Sequence, residues 1–351
     1  MSQTRIYIRP VARLAPSRGG AAGLPAITVA GRPDLAFAAA ELIERTGTEI
    51  GRKVVPAGEV LSGRRVPPEL LDRLCRPRPD IAGLGLDRPR LMGVVNVTPD
   101  SFSDGGRYLQ ADAAIAHALG LAAEGADILD IGGESTRPGS GAVDADAELA
   151  RVLPVIEGLR GRTPVPLCID TRNAEVMRRA AAAGASLIND VSALTHDPAS
   201  LAAAAQTGLP VVLMHAQGDP RTMQDHPTYA DVVLDVYDAL EARIEACERA
   251  GIPRARLIVD PGIGFGKTLA HNLALLGALG IFHGLGCAIL LGASRKSFIG
   301  HLTGADAASR LPGSLAAALA GVAQGVQILR VHDVAATRQA MAVWQGARDA
   351  G

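Results

Sequence analysis

The feature that most constrains the fold is an eightfold alternation of short apolar runs with helical segments, which begins at Leu91. The runs predicted to be strands are Leu91–Val97, Asp127–Ile131, Leu167–Ile169, Ser186–Ile188, Val211–Met214, Leu257–Val259, Ala288–Leu291 and Val326–Val331. Eight strands, each followed by a helix, in roughly 260 residues predict a closed (β/α)8 TIM barrel. An open doubly wound sheet is the main alternative, but it needs fewer strands and a glycine-rich fingerprint after the first one.

The segments between the strands are rich in Ala and Leu and are predicted to be helices. The clearest of them are Asp112–Glu124, Asp144–Leu159, Asn173–Ala183, Tyr229–Ala250 and Ser314–Ala323. Four begin with a residue type that caps helix N-termini: Asp112, Asp144, Asn173 and Ser314. Glycines stand where four of the helices should end: Gly125, Gly184, Gly251 and Gly325.

Residues 1–88 have a different composition, rich in Pro, Gly and Arg, with 14 Lys and Arg against 9 Asp and Glu. Two pieces look helical, Asp34–Glu44 and Pro68–Leu74. The excess positive charge is small and dispersed, so a solvated face is a better interpretation than nucleic-acid binding. We therefore expect an N-terminal appendage of unknown role over 1–88 and a barrel over 89–351.

The overall charge and the cysteines indicate the class of protein. A net charge of −1 argues against nucleic acid or an anionic membrane as the main partner. The four cysteines lie far apart without the spacing of a metal site, which is typical of buried thiols in a reducing compartment. We therefore expect a cytoplasmic protein.

One stretch, Leu273–Ser294, has the length of a membrane span and contains no Asp, Glu, Lys or Arg. A cluster of glycines between Gly277 and Gly286 interrupts it. A buried helix that ends near Leu279, followed by a barrel strand, is the better interpretation, and we expect no membrane partner.

Polar side chains follow all eight predicted strands. They are Asn96, Glu134 to Arg137, Asp170, Asn189 with Asp190, His215, Asp260, Ser294 to Lys296, and Arg330 with His332. Any one of them has a structural explanation, since an Asp at a strand end often caps a helix and a lone His is usually a core residue. Barrel active sites, however, lie at the carboxyl ends of the strands, and eight such residues together predict a polar ligand there.

The residue types indicate what this ligand offers. Asp260 can accept two N–H donors from a 2-amino-pyrimidinone ring, and Asn189 can donate and accept at an adjoining edge. Lys296 supplies a cation for a ring carbonyl or nitrogen. The positive charge of Arg330, with His332 two residues further on, suits a phosphate group.

Two loop regions add an anion contact and metal ligands. Arg137 can contribute a mobile contact to an anion. Asn96 and Asp104 supply hard oxygen ligands for a Mg²⁺ that a diphosphate already holds. The segment Gly262–Thr268 imitates a nucleotide-binding P-loop, but Pro261 stands where that motif requires glycine.

The ordered series of motifs resembles the dihydropteroate synthase family over essentially all of 91–351. These motifs are Met92–Gly106 (MGVVNVTPDSFSDGG), Asp130–Gly139 (DIGGESTRPG), Ile169–Thr171, Ile188–Asp190, Asp260–Lys267 (DPGIGFGK), Gly292–Ser297 (GASRKS) and Arg330–Asp333 (RVHD). Any one of them alone is weak, whereas the set in this order is highly specific.

The resemblance implies a reaction: 6-hydroxymethyl-7,8-dihydropterin diphosphate and p-aminobenzoate give 7,8-dihydropteroate and pyrophosphate in folate biosynthesis. It implies a pterin pocket of Asp170, Asn189, Asp260 and Lys296. It implies a diphosphate site of Asn96, Arg330 and His332, with Mg²⁺ on Asn96 and Asp104. It implies that loops Thr98–Gly106 and Ser135–Gly139 close over the aminobenzoate, with Phe102, Thr136, Arg137, Pro138 and Ser297 in contact with substrate.

The resemblance also implies roles and partners. Asp170, Lys296, Asp104 and Arg137 are the expected catalytic residues, and His215 is expected to be a supporting core residue. A homodimer is implied, with the helices Tyr229–Ala250 and Ser314–Ala323 as candidate surfaces. Two rivals remain: a pterin-binding methyltransferase, which needs no diphosphate clamp, and a non-catalytic pterin-binding relative, which has no reason to keep both loops.

Overall fold

The computed structural model describes residues 4–13, 25–97, 107–134, 143–218 and 222–350. The chain begins with an antiparallel sheet and two short helices, called the N-terminal unit below. Its elements are β1 (Arg5–Arg13), β2 (Ile27–Val29), β3 (Arg32–Thr46), β4 (Glu49–Pro56), α1 (Ala57–Leu61) and α2 (Pro68–Cys75). The central strand β3 pairs with β1 on one side and β4 on the other, and it also pairs with β2.

The predicted helix Asp34–Glu44 is wrong, because these residues form the middle of β3. The segment is rich in Ala, which favours a helix locally, but pairing with strands on both sides overrides that preference. Leu35, Phe37, Ala40 and Leu42 pack in the core of the N-terminal unit, and Ile43 joins the barrel core on the other face. The second predicted helix, Pro68–Leu74, is confirmed as α2.

Eight parallel strands then close into a barrel, as predicted. They are β5 (Arg90–Asn96), β6 (Ile128–Gly132), β7 (Leu167–Asp170), β8 (Leu187–Asp190), β9 (Val211–Met214), β10 (Leu257–Asp260), β11 (Ala288–Leu291) and β12 (Ile328–Val331). They follow one another in chain order around the barrel, which closes where β12 pairs with β5. All eight predicted strands are confirmed, with boundaries shifted by no more than two residues.

The helices of the described residues surround this barrel. They are α3 (Arg107–Ala123), α4 (Ala145–Leu159), α5 (Ala174–Ala183), α6 (Ser200–Thr207), α7 (Val232–Arg249), α8 (Leu269–Gly277), α9 (Ser297–Thr303), α10 (Leu311–Ala323) and α11 (Val334–Ala350). None of the helices in the described ranges is long and apolar enough to cross a membrane.

Several predicted helix ends are confirmed and others are not. Asp144 caps α4 by accepting from the Ala147 N–H at 2.7 Å. Asp112 and Ser314 are wrong as caps, because both lie inside helices that begin at Arg107 and Leu311. The four predicted terminal glycines all adopt positive φ, and the apolar stretch Leu273–Ser294 divides into the end of α8, a 3₁₀ segment (Leu279–Leu285) and β11.

The N-terminal unit packs against the barrel near the start of β12, and Gly325 lies at this contact. Gly325 and Gly251 both have φ near +88°, a region in which a side chain costs about 1–2 kcal/mol. A Cβ on Gly325 would lie 2.8 Å from Leu35 Cδ1 and 2.9 Å from His283 Nε2. A Cβ on Gly251 would meet no atom within 4 Å.

We therefore predict that Gly325→Ala destabilises the protein more than its matched control Gly251→Ala. Both variants carry the same backbone strain, and Gly325→Ala adds an overlap that costs a further ~1–3 kcal/mol. Urea unfolding followed by circular dichroism measures the two losses. Equal losses would show that the contact between Leu35 and Gly325 is not tight.

Candidate active site

The barrel interior is built in layers that follow the two-residue period of its strands. The lower layer is apolar and contains Met92, Ile128, Cys168, Leu187, Val212, Ile258, Leu290 and Ile328. Two residues further along each strand, the upper layer consists of Val94, Asp130, Asp170, Asn189, Met214, Asp260, Gly292 and Arg330. Polar side chains therefore face the barrel axis at its carboxyl end, where the sequence predicted a site.

Arg330 lies between two carboxylates in this upper layer. Its Nε donates to Asp130 Oδ2 at 2.6 Å and its Nη2 donates to Asp170 Oδ2 at 2.8 Å. The sequence assigned Arg330 to a phosphate and did not single out Asp130. The missed signal was the two-residue period, because Asp130 follows the inward-facing Ile128 by two positions.

Asp130 also fixes the orientation of Asn189. The Asn189 Nδ2 donates to Asp130 Oδ2 at 3.2 Å. Because an ionised carboxylate only accepts, the amide nitrogen must face Asp130, and the amide oxygen is directed elsewhere. Asp130 Oδ1 is buried and has no hydrogen-bond partner among the described residues, so this carboxylate retains an accepting atom.

Burial changes the protonation equilibria of the layer. Burial raises the pKa of Asp170 above its usual value; Arg330 opposes this shift and Asp130 adds to it. Burial alone would lower the pKa of Arg330, but the carboxylates of Asp130 and Asp170 outweigh burial and raise it. The guanidinium therefore stays charged, and two carboxylates share its single charge.

Asp260 and Lys296 form the other side of the site, on β10 and after β11. Asp260 Oδ1 accepts from the Gly262 N–H at 2.7 Å. The Lys296 Nζ donates to the Ile263 carbonyl and lies 4.5 Å from the centre of the Phe265 ring. Burial lowers the pKa of Lys296 to about 8, although the charge of Asp260 works in the opposite direction.

The loop between Asp260 and Lys267 is held from behind by Lys267. Its Nζ contacts His215 Nδ1 at 3.1 Å and donates to the carbonyls of His215 and Phe265 at 3.2 and 2.9 Å. A charged lysine ammonium only donates, so while Lys267 is protonated His215 Nδ1 accepts and the ring proton is on Nε2. This segment is thus a self-bonded turn, which agrees with the predicted absence of a nucleotide P-loop and with the supporting role expected of His215.

Burial also lowers the pKa values of these two side chains. The pKa of Lys267 falls to about 7, because burial outweighs the charge of Asp260. The pKa of His215 falls to about 3 through burial and the neighbouring Lys267 charge, so the imidazole is neutral near pH 7.

The remaining predicted residues divide into two groups. At the rim, Asn96 ends β5, His332 Nδ1 lies 3.0 Å from Ser294 Oγ, and the exposed Ser297 begins α9. The predicted residues Phe102, Asp104, Thr136, Arg137 and Pro138 lie outside the described residues.

Two other polar residues at the strand ends serve the scaffold. Asp190 is turned out of the barrel and accepts from the N–H groups of Ser192 and Leu194 at 2.7 and 3.0 Å. Glu134 accepts from Arg172 Nη2 at 2.6 Å. Both residues have structural partners, Asp190 in a turn and Glu134 in an ion pair, although neither caps a helix.

Comparisons with known proteins identify the family of this chain. The family model described as pterin binding enzyme matches residues 92–332. The dihydropteroate synthase of Escherichia coli K12 is 49% identical over 260 residues, which cover 74% of this chain and 92% of that protein. The dihydropteroate synthase of Neisseria meningitidis serogroup B is 53% identical over 268 residues, with 75% and 94% covered.

The chain belongs to the dihydropteroate synthase family. It is accordingly a transferase of folate biosynthesis, as its motifs predicted. The solved dihydropteroate synthase of Xanthomonas albilineans with 4-aminobenzoic acid superposes with a TM-score of 0.73 at 55% identity, covering 78% of this chain and 98% of that one. The family match begins at Met92, so the N-terminal unit lies outside it.

We predict that binding of the pterin substrate weakens as the pH rises through about 8, because Lys296 then loses its proton and its charge. The dependence of kcat/KM for the pterin diphosphate on pH measures this loss. In Lys296→Arg the cation persists above pH 12, so the alkaline decline should disappear. An unchanged decline in that variant would assign the ionisation to another group.

Proposed function

We propose that the pterin ring binds in the upper layer of the barrel, against Asp170, Asn189, Asp260 and Lys296. The observation that supports this most strongly is the set of inward-facing polar side chains above a closed apolar layer. Asp260 Oδ2 accepts from the amino-pyrimidinone edge, while Lys296 contacts a ring carbonyl or nitrogen. Asn189 presents its amide oxygen to a ring N–H, since Asp130 holds its nitrogen.

The reaction we propose begins with cleavage of the bond between the exocyclic carbon and the diphosphate oxygen. The electron pair leaves with pyrophosphate, and the carbon becomes a cation that the pterin ring stabilises. Arg330 leaves Asp130 Oδ1 and Asp170 Oδ1 unused, and in this proposal these oxygens stabilise the developing cation. The neutral aniline nitrogen of p-aminobenzoate then attacks and releases a proton, so no dedicated general base is needed.

The diphosphate lies further out, at the rim. The ion pairs of Arg330 use Nε and Nη2, so we assign Nη1 to a diphosphate oxygen. His332, which lies beside Ser294, provides a second contact. The segments 98–106 and 135–139 supply Phe102, Thr136, Arg137 and Pro138, which together with Ser297 contact substrate in this proposal.

Mg²⁺ is the proposed cofactor. Among the described residues no group of three His, Cys, Asp or Glu side chains could hold a metal ion. Mg²⁺ usually needs only one or two protein oxygens when substrate phosphates complete its coordination, and the amide oxygen of Asn96 fits that requirement. Asn96 and Asp104 would hold the ion, which would neutralise charge on the leaving diphosphate.

An assay of pyrophosphate release tests the function. We predict release only when p-aminobenzoate accompanies the pterin diphosphate, and a turnover about 10²-fold lower or more in Lys296→Ala, which removes a cation from the site. A pterin-binding methyltransferase or a non-catalytic relative would release none. The Lys296→Ala variant should keep its thermal unfolding midpoint, since its ammonium is exchanged for apolar surface beside Phe265.

Sulfonamides should compete with p-aminobenzoate, because they present a similar flat ring with an amine. A solved dihydropteroate synthase of Yersinia pestis, described with a sulfonamide drug complex, is 48% identical with a TM-score of 0.72; it covers 76% of this chain and 96% of that one. Steady-state kinetics at several p-aminobenzoate concentrations measure the competition. Inhibition that p-aminobenzoate cannot relieve would contradict the proposed slot.

A homodimer is proposed through α10, whereas the other candidate surface, α7, is covered by the N-terminal unit. The 13 residues of α10 (LPGSLAAALAGVA) include no charged side chain, and Leu315 and Leu319 are partly exposed. Such a face is typical of a contact between copies.

We predict that Leu319→Glu converts the dimer to a monomer, because it buries a charge in the contact. The control Val54→Glu introduces the same charge in the N-terminal unit, at an apolar residue that is 62% exposed. Sedimentation velocity measures the mass against the chain mass of 36.1 kDa. A monomeric parent protein, or a dimer that survives Leu319→Glu, would contradict the proposal.

The proposed location is the cytoplasm. All four cysteines are free thiols and three of them are buried, which suits a reducing compartment.

A further inference from the structure

The N-terminal unit meets the barrel along one acidic face of α7. The carboxylates on this face are Asp231, Asp235, Asp238 and Glu241, spaced at three and four residues so that they lie in one row. Cations of the N-terminal unit pair with all of them: Arg52 with Asp231, Arg45 with Asp235 and Asp238, Arg5 with Asp238 and Glu241, and Arg73 with Glu241. Tyr7 adds a hydrogen bond to Asp238 at 2.9 Å.

The two carboxylates at the start of α7 each have a second set of contacts. Asp231 Oδ1 accepts from the N–H groups of Val233 and Leu234, both at 3.1 Å, and so caps the helix. Asp235 Oδ2 accepts from the N–H groups of Ala230 and Asp231 at 2.8 and 3.2 Å. The second oxygen of Asp231 accepts from Arg52, and that of Asp235 accepts from Arg45. These arginines therefore hold both carboxylates that bind the backbone at the start of α7.

Tyr229 directly precedes the residues that these carboxylates bind, and it contacts the loop that follows Asp260. Its hydroxyl donates to the Gly266 carbonyl at 2.8 Å, and its ring packs edge-on against His271 at 5.0 Å between centroids. Gln224, in the same segment, donates from Nε2 to the Gly264 carbonyl at 2.5 Å. The segment before α7 is therefore bonded to the loop that follows Asp260.

That loop determines where Lys296 lies. The Ile263 carbonyl accepts from Lys296 Nζ, the Phe265 ring lies under the ammonium, and a Cβ on Gly264 would come within 3.2 Å of Lys296 Cδ. A shift of the loop would therefore move the cation that faces the pterin ring.

From this chain of contacts, and resting on the pterin site proposed above, we infer that the N-terminal unit positions the loop 261–267 through the first turn of α7 and Tyr229. Arg45 and Arg52 are positioning residues: they touch no substrate and act on Lys296 through Asp231, Asp235 and Tyr229. The pairs further along α7, made by Arg5 and Arg73, attach the unit to the barrel without leading to this loop.

The test compares two double variants of the full-length protein. Arg45→Gln/Arg52→Gln breaks the contacts at the start of α7 and the 3.5 Å contact of Arg45 with Asp238, whereas the matched control Arg5→Gln/Arg73→Gln breaks only contacts with Asp238 and Glu241. We expect the first pair to raise KM for the pterin diphosphate about three- to tenfold with little change in kcat. We expect the control pair to leave KM unchanged, even if it lowers the thermal midpoint by as much.

Tyr229→Phe removes only the hydroxyl that reaches Gly266. It should raise KM for the pterin diphosphate similarly, and adding Arg45→Gln/Arg52→Gln to it should raise KM no further, because both changes interrupt one path. Arg45→Lys/Arg52→Lys keeps the charges and should restore a large part of the parent KM.

Two outcomes would overturn the inference. One is an equal KM in both double variants at matched thermal stability, which would leave the unit a purely stabilising role. The other is multiplicative KM effects of Tyr229→Phe and Arg45→Gln/Arg52→Gln. The parent protein is first assayed for pyrophosphate release, so that failure of the proposed reaction is recognised separately.

Discussion

The site depends on one guanidinium held at the barrel axis between two carboxylates. Arg330 on β12 reaches across β5 to Asp130 on β6 and Asp170 on β7. Buried charges are tolerated only when they are paired and hydrogen-bonded, and removing one partner leaves the other uncompensated. Arg330 therefore ties three strands together at the level where the ligand is proposed to bind, and the position of Asn189 follows from it through Asp130.

The barrel could be predicted from the sequence because each strand is a local signal: a short apolar run followed by a helical period. The site was predicted less completely, because proximity to a strand end does not say which way a side chain faces. Asp190 and Glu134 follow strands but serve turns and ion pairs, whereas Asp130 lies within a strand and faces the axis. The two-residue period separates Asp190 from Asp130 once the inward residues Ile128 and Leu187 are known, whereas Glu134 lies beyond the end of β6.

The N-terminal unit was the least predictable part, since its structure depends on pairing between distant residues. The segment Asp34–Glu44 has a local preference for a helix, but its strand partners lie about thirty residues away in β1 and about ten away in β4. The cations of this unit looked dispersed in the sequence. In the fold, four of them meet one row of carboxylates on α7.

The acidic and basic groups of the site lie on opposite sides of the barrel. On the side of β6 and β7, Asp130 and Asp170 both accept from the guanidinium of Arg330. On the side of β10 and β11, Lys267 and Lys296 lie around the single carboxylate of Asp260, and burial lowers the pKa of both lysines. In the proposed reaction, the cation on the substrate would face the first side and electron-rich ring atoms would face the second. Lys296 is held by the Ile263 carbonyl of a loop and not by a carboxylate. The position of its ammonium therefore depends on where that loop lies, and so on the residues that pack behind the loop.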